Sequence, residues 1–399
     1  LSKATEPSQR IGFPIAGITF FRLVLNTSKR FAYPFAPVLS RGLGVSLTAI
    51  TSLIAVNQIT ALLGLLVGPI SDRWGYRKMM VAGMALLGIG MLAAAFFPFY
   101  TVVLVALFLA GLGKSVLDPA LQAWAGSHVP FDRRAMVIGI LETSWAASTL
   151  VGIPLVAVII DRYGWRSPFL VMGLLGVAGA VTLFFIIPRE KEIPEADRTV
   201  SWATYLGAYG QLVGSKAALG ALGYAFFVSA ANDNLFVVYG AWLEKSFGLG
   251  LVALGMGTSL IGLAELFGEG LTATVSDRLG LKRALFWGLG LTTLSYFILP
   301  FLESALSAAL VGIALIFLAF EFTMVTSFSL CTEILPASRA TMMASFLATA
   351  GMGRVLGALL GGFVWQTGGI WATCWLSGGL TILGMGCLKI GLTGWQRKS

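Results

Sequence analysis

Apolar runs of bilayer-spanning length, separated by short charged loops, dictate the architecture of this chain. They fall near 12–39, 46–70, 79–97, 100–127, 135–160 and 167–187, and then near 215–243, 250–272, 284–301, 304–332, 340–364 and 369–391. About 20 apolar residues cross the hydrocarbon layer as an α-helix. No backbone N–H or C=O can stay unpaired in that layer, so runs of this length have to be helical. The reading is an all-α membrane protein with 12 transmembrane helices, six on each side of a polar divider; the runs are called spans 1 to 12 below.

Composition supports this. Of the 399 residues, 57% are hydrophobic and 11% are charged, against about 25% charged in soluble domains. A net charge of +9 could point to nucleic acid, but the basic residues are dispersed over short loops, so no nucleic-acid partner is expected. Eighteen Lys and Arg residues fall on the side that holds both termini and four, Arg41, Arg162, Arg166 and Lys245, on the other. The positive-inside rule then places both termini in the cytoplasm of a cell (inner) membrane. The divider begins with the one extended charged stretch, Pro188 to Arg198. Expected domains are therefore 1–187, a cytoplasmic linker 188–214 in which Trp202 and Tyr205 favour an amphipathic surface helix, and 215–399. The segment Leu1 to Arg10 is polar without a cleavage-type sequence, so span 1 is expected to act as the insertion signal. Cys331, Cys374 and Cys387 lie in apolar context without metal-ligand spacing and read as packing residues. His128, the one histidine, is expected at the interface. Without a phosphate-cradling loop or paired metal-ligand motif, neither ATP-driven pumping nor enzymatic hydrolysis is expected, and no cofactor or metal.

One loop occurs twice. Gly68-Pro-Ile-Ser-Asp72-Arg73-Trp-Gly75-Tyr-Arg77-Lys78 joins spans 2 and 3, and Val275-Ser-Asp277-Arg278-Leu-Gly280-Leu-Lys282-Arg283 joins spans 8 and 9 about 205 residues later. Gly75 and Gly280 permit a sharp turn, and Asp72 and Asp277 can reach the positive N-terminus of a neighbouring helix. Other features repeat at the same interval: Thr51-Ser-Leu-Ile returns as Thr258-Ser-Leu-Ile, and Asn26 falls at the offset of Asn232.

The pattern G-x-x-x-D-R-x-G-x-R-K resembles the loop between helices 2 and 3 of the major facilitator superfamily of secondary transporters. Its copy, with Ala273 in place of the leading glycine, lies where that family has the loop between helices 8 and 9. The resemblance implies two pseudo-symmetric six-helix bundles that rock about a site between them, the physical basis of alternating access. It also marks Asp72, Arg73, Arg77, Asp277 and Arg278 as conformational or gating residues. In motif the chain is similar to the family's 12-helix drug/metabolite:proton antiporters. Span 5, with Gly152 and Pro154 before Asp161-Arg162-Tyr-Gly164-Trp165-Arg166, looks like a degraded form of their glycine and proline motif and lacks its last glycine pair. Span 4 departs further, because the arginine those exporters place four residues before a glycine is Leu107 here, counted from Gly111. Lys114 and Asp118 follow on one helix face, where they can pair and act in gating.

Charges inside the spans are the informative residues, since each costs about 2.5 to 3.5 kcal/mol to insert. The first half has Arg22, Lys29, Arg30, Lys114, Asp118 and Glu142, net +2; the second has Asp233, Glu265, Glu269, Glu321 and Arg354, net −3. Arg22, Asn26, Arg30 and Tyr33 recur at helical spacing on one face, with Arg22 and Arg30 about 12 Å apart. Glu265 and Glu269 lie one turn apart, where mutual repulsion favours holding a proton. Arg22, Asn26, Arg30, Tyr33, Asn232, Phe236 and Tyr239 are the candidate substrate contacts, and Asp233, Glu265, Glu321 and Glu142 the candidate proton carriers. Structural pairing is the competing reading, favoured for Lys29, Glu269 and Arg354. Trp145 and Trp242 can stack on an organic substrate or simply pack. Glycines at 353, 357, 361 and 362 in span 11 allow close helix approach.

The expected function is proton-coupled export of a small organic or amphipathic compound by a monomer in the bilayer. Uptake or exchange of an organic anion or zwitterion, through the span 1 cations, is the alternative within transport. A non-transporting membrane receptor or scaffold is the alternative outside it.

Overall fold

The computed structural model describes residues 12–129, 131–188, 210–335 and 339–395. Helix occupies each of the expected runs. Nine helices among the described residues are long and apolar enough to cross a membrane, ten if Ala36–Leu43 and the bent continuation Leu47–Leu63 form one span. Span 1 is two helices, Gly12–Arg30 and Ala36–Leu43, interrupted by a turn that contains Pro34. Proline has no N–H to give the carbonyl of residue 30, so the helix breaks there. Span 7 breaks at the corresponding depth, between Lys216–Phe236 and Tyr239–Phe247. Spans 2, 3 and 4 are Leu47–Trp74, Tyr76–Phe96 and Tyr100–His128. Span 5 runs from Phe131–Ala147 through a π-helical turn, Ser148–Gly152, into Ile153–Tyr163, and span 6 is Ser167–Ile186. Span 8 is Leu251–Leu271 with its own π turn, Thr272–Ser276; spans 9 and 10 are Leu281–Ile298 and Leu306–Ile334. Spans 11 and 12 lie within Arg339–Gly391, which leaves helical geometry at Gly369 (φ 59°, ψ −150°).

The outer surface is lipid-like: Phe185, Trp287 and Ile390 are each at least 75% exposed. The expected sharp turns are present, with Gly75 at φ 86° and Gly280 at φ 80°, a region that side chains with a Cβ avoid. Of the linker expected at 188–214, residues 189–209, including Trp202 and Tyr205, lie outside the described residues, whereas 210–214 are helical. Leu1 to Arg10 and the side chain of His128 also lie outside them. Cys331 and Cys374 are buried and Cys387 is half-buried, all as free thiols.

The two halves meet along two seams related by the repeat, span 2 against span 11 and span 5 against span 8. Small residues set both. A Cβ on Gly262 would lie 2.9 Å from the Leu150 nitrogen, one on Gly255 would lie 2.5 Å from the Ala157 methyl, and one on Gly351 would lie 2.9 Å from that of Ala61. The glycines of span 11 face two ways. Gly353, Gly357 and Gly361 press on the backbone carbonyls of Phe226, Ala230 and Asn234 in span 7, while Gly362 meets Thr51 across the seam.

Overpacking a close helix contact costs on the order of 1–3 kcal/mol. Gly357→Val should therefore lower the unfolding temperature in detergent, whereas Gly379→Val, whose Cβ would meet nothing within 4 Å, should leave it near wild type.

Candidate functional site

The charged side chains of the spans sort into two constellations. The first is internal to the N-terminal half. Arg22 donates from Nε to Asp118 Oδ1 at 2.9 Å, from Nη1 to the Leu141 carbonyl at 2.8 Å and to Ser144 Oγ at 3.4 Å, and from Nη2 to Glu142 Oε2 at 3.1 Å. Lys114 Nζ bridges Asp118 Oδ2 at 2.6 Å and Asn26 Oδ1 at 2.7 Å, and Asn26 donates on to Ser144. The expected Lys114 and Asp118 pair is present, and the network ties spans 1, 4 and 5 together. A buried charge so fully engaged is a strut, because its hydrogen-bonding capacity is already used.

The second constellation lies between the halves, around a partly open cavity lined by residues of both. Arg30 Nη2 donates to Glu265 Oε1 at 2.5 Å, with both side chains no more than 5% exposed. Thr149 donates to the other carboxylate oxygen at 3.4 Å, and the guanidinium lies 4.4 Å from the Trp145 ring centroid. Beside it, Gln58 Nε2 donates to the Tyr33 hydroxyl, which donates to Asp233 Oδ1 at 2.8 Å. Arg354 faces Asp233 Oδ2 at 3.9 Å. Phe236 stacks on Tyr33 with centroids 4.4 Å apart and on Tyr239 at 5.2 Å. Arg30 to Glu265 and Tyr33 to Asp233 thus join span 1 to spans 8 and 7 across the interface.

Of the candidate substrate contacts, Arg30, Tyr33, Asn232 and Phe236 line this cavity, and so do the candidate proton carriers Asp233, Glu265 and Glu321. Arg22, Asn26 and Glu142 stand instead in the first network. Tyr239 is fully buried, bonded to Thr258 at 2.7 Å behind Phe236, and Trp242 bonds Glu303 at 3.2 Å, away from the cavity. Lys29 and Arg354 line the cavity although structural pairing was favoured for both. Arg354 stands 3.9 Å from Asp233, but Lys29, like Glu321 and Glu269, makes no hydrogen bond or ion pair among the described residues.

Gln58, Phe317 and Phe320 also line the cavity and were not expected to. The repeat holds the signal for Gln58: Thr51 and Thr258 are 207 residues apart, and so are Gln58 and Glu265. Tyr33 and Tyr239 are equivalent in the same way, each bonded to the second span of its own half, at Gln58 and Thr258. Charge breaks the symmetry, because a glutamine stands in one half where the other has a carboxylate.

The side chains of Asp72, Arg73 and Asp277 lie outside the described residues, and Arg278 is exposed. Arg77 donates to the carbonyl of Phe184 at the end of span 6 and lies 4.3 Å from that ring. Its counterpart Lys282 donates to the carbonyls of Leu392 (3.3 Å) and Trp395 at the end of span 12. In each half the loop cation caps the last helix, where carbonyls lack partners and the dipole is negative. At the opposite end, on the side of the 44–46 and 248–250 turns, Arg41 pairs with Glu244 at 2.7 Å, Gln366 donates to Thr48 at 2.6 Å, and Gly240 lets the Pro34 carbonyl approach. The halves are closed together there.

The sequence matches the family model of the Major Facilitator Superfamily over residues 18–336 and 221–393. It is similar to the uncharacterized MFS-type transporter YceJ of Bacillus subtilis, 24% identical over 86% of this chain and 87% of that protein. It is also similar to a multi-drug resistance efflux pump PmrA homolog of Lactococcus lactis, 25% identical over 85% and 86%. Among solved structures, a bacterial homolog of the human lysosomal transporter Spinster, in an inward-facing and unoccupied conformation, superposes with a TM-score of 0.77 at 15% identity, over 98% of this chain and 96% of that one. The likeness to that structure is one of fold. The chain belongs to the major facilitator superfamily and is a multi-pass membrane transporter for a small molecule, not an enzyme.

Proposed function

We propose that this transporter exports a small organic compound in exchange for protons, using the buried Arg30 and Glu265 pair as its coupling element. One observation carries the reading: an ion pair at 2.5 Å, buried at both ends, joins the two halves beside the cavity. Parting a buried pair leaves each charge uncompensated and costs about 3–5 kcal/mol. Two things lower that cost, a proton on the carboxylate or a ligand group that takes its place.

The cycle follows. With the halves closed on the side of Arg41 and Glu244, the periplasmic side by the positive-inside rule, the substrate enters from the cytoplasm. Opening to the periplasm separates Arg30 from Glu265 and Tyr33 from Asp233. The freed carboxylate takes a proton from the more acidic outer medium as the substrate leaves. Closing brings Glu265 back to Arg30, and the re-formed pair expels the proton to the cytoplasm. Glu321, which lines the cavity without a hydrogen bond or ion pair among the described residues, is a second carrier, and Asp233 is held by Tyr33 and Arg354. That two relatives are named efflux pumps favours export. Localisation in an inner membrane with cytoplasmic termini, and a monomeric state, complete the proposal.

Organic-anion uptake or exchange is the second reading, favoured by Lys29, a cation in the cavity lining with no partner among the described residues. Under it, Lys29→Gln should raise KM for anionic substrates alone.

Glu265→Gln and Glu321→Gln in proteoliposomes should each abolish uphill, gradient-driven transport while leaving downhill substrate exchange measurable; unchanged uphill transport in both removes the proton role. Arg22→Gln should behave otherwise. It removes a cation from Asp118, which keeps Lys114, and from the half-exposed Glu142, so the expected effect is a loss of stability of about 1–3 kcal/mol. It should appear as a lower unfolding temperature, with the coupling of transport to pH retained in the protein that remains folded.

A further inference from the structure

Three cations and three acids line the cavity: Lys29, Arg30, Arg354, Asp233, Glu265 and Glu321. Arg30 and Glu265 neutralise each other, and Arg354 faces Asp233. That leaves two charges of opposite sign, Lys29 and Glu321, with no hydrogen bond or ion pair among the described residues.

Lys29 and Glu321 do not serve one another. Lys29 has Lys114, Arg354, Asp118 and Asp233 among its charged neighbours, and Glu321 has Glu265, Glu269, Arg30 and Arg354. The two acids near Lys29 are already held, Asp118 by Arg22 and Lys114, Asp233 by Tyr33 and Arg354. The arginines near Glu321 are held in the same way by Glu265 and Asp233. The lining therefore has a cationic pole at Lys29 and an acidic pole at Glu321, each lacking a counter-charge of its own.

Among the described residues, two further polar atoms in the lining are buried without a hydrogen-bond partner, the donor Arg30 Nη1 and the acceptor Asn232 Oδ1. Buried unpaired donors and acceptors are rare in folded proteins and call for a partner. Aromatic side chains, Trp145, Phe236, Phe317 and Phe320, make up the apolar part of the wall.

We infer that the cavity takes a zwitterion with a compact apolar or aromatic body, its anionic group met by Lys29 and its cationic group by Glu321. This names the substrate class of the transport site proposed above and rests on that reading. Arg30 Nη1 and Asn232 Oδ1 supply one donor and one acceptor to the ligand's polar ends. A simple amine would leave Lys29 without a counter-charge, and a simple acid would leave Glu321 without one. Either loses to a ligand that carries both charges, because the ligand displaces water from the lining and leaves the unmatched charge with neither water nor a counter-charge.

Three probes that share one body test this on the purified full-length protein: L-phenylalanine, phenethylamine and 3-phenylpropionate, with affinity measured by titration calorimetry. The expected order has phenylalanine at least about tenfold tighter than either partner compound, a difference of roughly 1.4 kcal/mol. Lys29→Gln should invert the preference towards phenethylamine, and Glu321→Gln towards 3-phenylpropionate; binding of the switched probe shows that the variant is folded. Equal or tighter binding of the amine or the acid by wild type overturns the inference, as does absence of phenylalanine binding or an unchanged order in both variants. Transport separates the two proposals. Proton-driven export of the amine with no preference for the zwitterion sinks this inference and spares the exporter reading. Selective phenylalanine binding without proton-driven movement does the reverse.

Discussion

Everything in this molecule depends on the cost of placing charge inside a bilayer. A chain that carries eleven charged side chains within its spans must give each a partner or a wet surface. The N-terminal half answers with a closed network on Arg22, Lys114 and Asp118 that welds spans 1, 4 and 5. The interface answers with pairs contributed by opposite halves, which hold only while the halves are together. The same physics thus makes one half rigid and the junction breakable, the combination that a rocking transporter needs.

Duplication supplies the frame and its asymmetry supplies the chemistry. Spans 1 and 7 break at matched depths, and the loop cations Arg77 and Lys282 cap the last helix of their own halves. Tyr33 and Tyr239 stand on either side of Phe236. Against that symmetric background Arg30 has Phe236 as its repeat partner, and Glu265 has Gln58. The ion pair is therefore present once where the repeat would allow two, and the cavity's polarity follows from that difference.

Much of this was legible in the residues. Run lengths gave the helices, and the doubled loop gave the sharp turns at Gly75 and Gly280. Spacing gave the Lys114 and Asp118 pair and the close approach of the span 11 glycines. Helical periodicity could place Arg22 and Arg30 on one face of span 1 but not say what that face meets, and the two differ in depth. Arg22 lies where span 1 packs on its own half, whereas Arg30 lies just before the Pro34 break, where the face turns to span 8. Tyr239, in phase with the cavity residues, is buried behind Phe236 and bonded to Thr258. Gln58 was missed because it is uncharged, although its position relative to Glu265 was written in the repeat.

If the Arg30 and Glu265 bridge beside the cavity keeps the halves closed at their Arg41 and Glu244 end, its loss should open that end. Spin labels at positions 46 and 245, both exposed on that end, in a background with the three cysteines replaced by alanine, report the separation by pulsed electron resonance. Glu265→Gln should shift the distances at neutral pH to longer values, as acid should in wild type. Identical distance distributions for variant and wild type at neutral pH would contradict it.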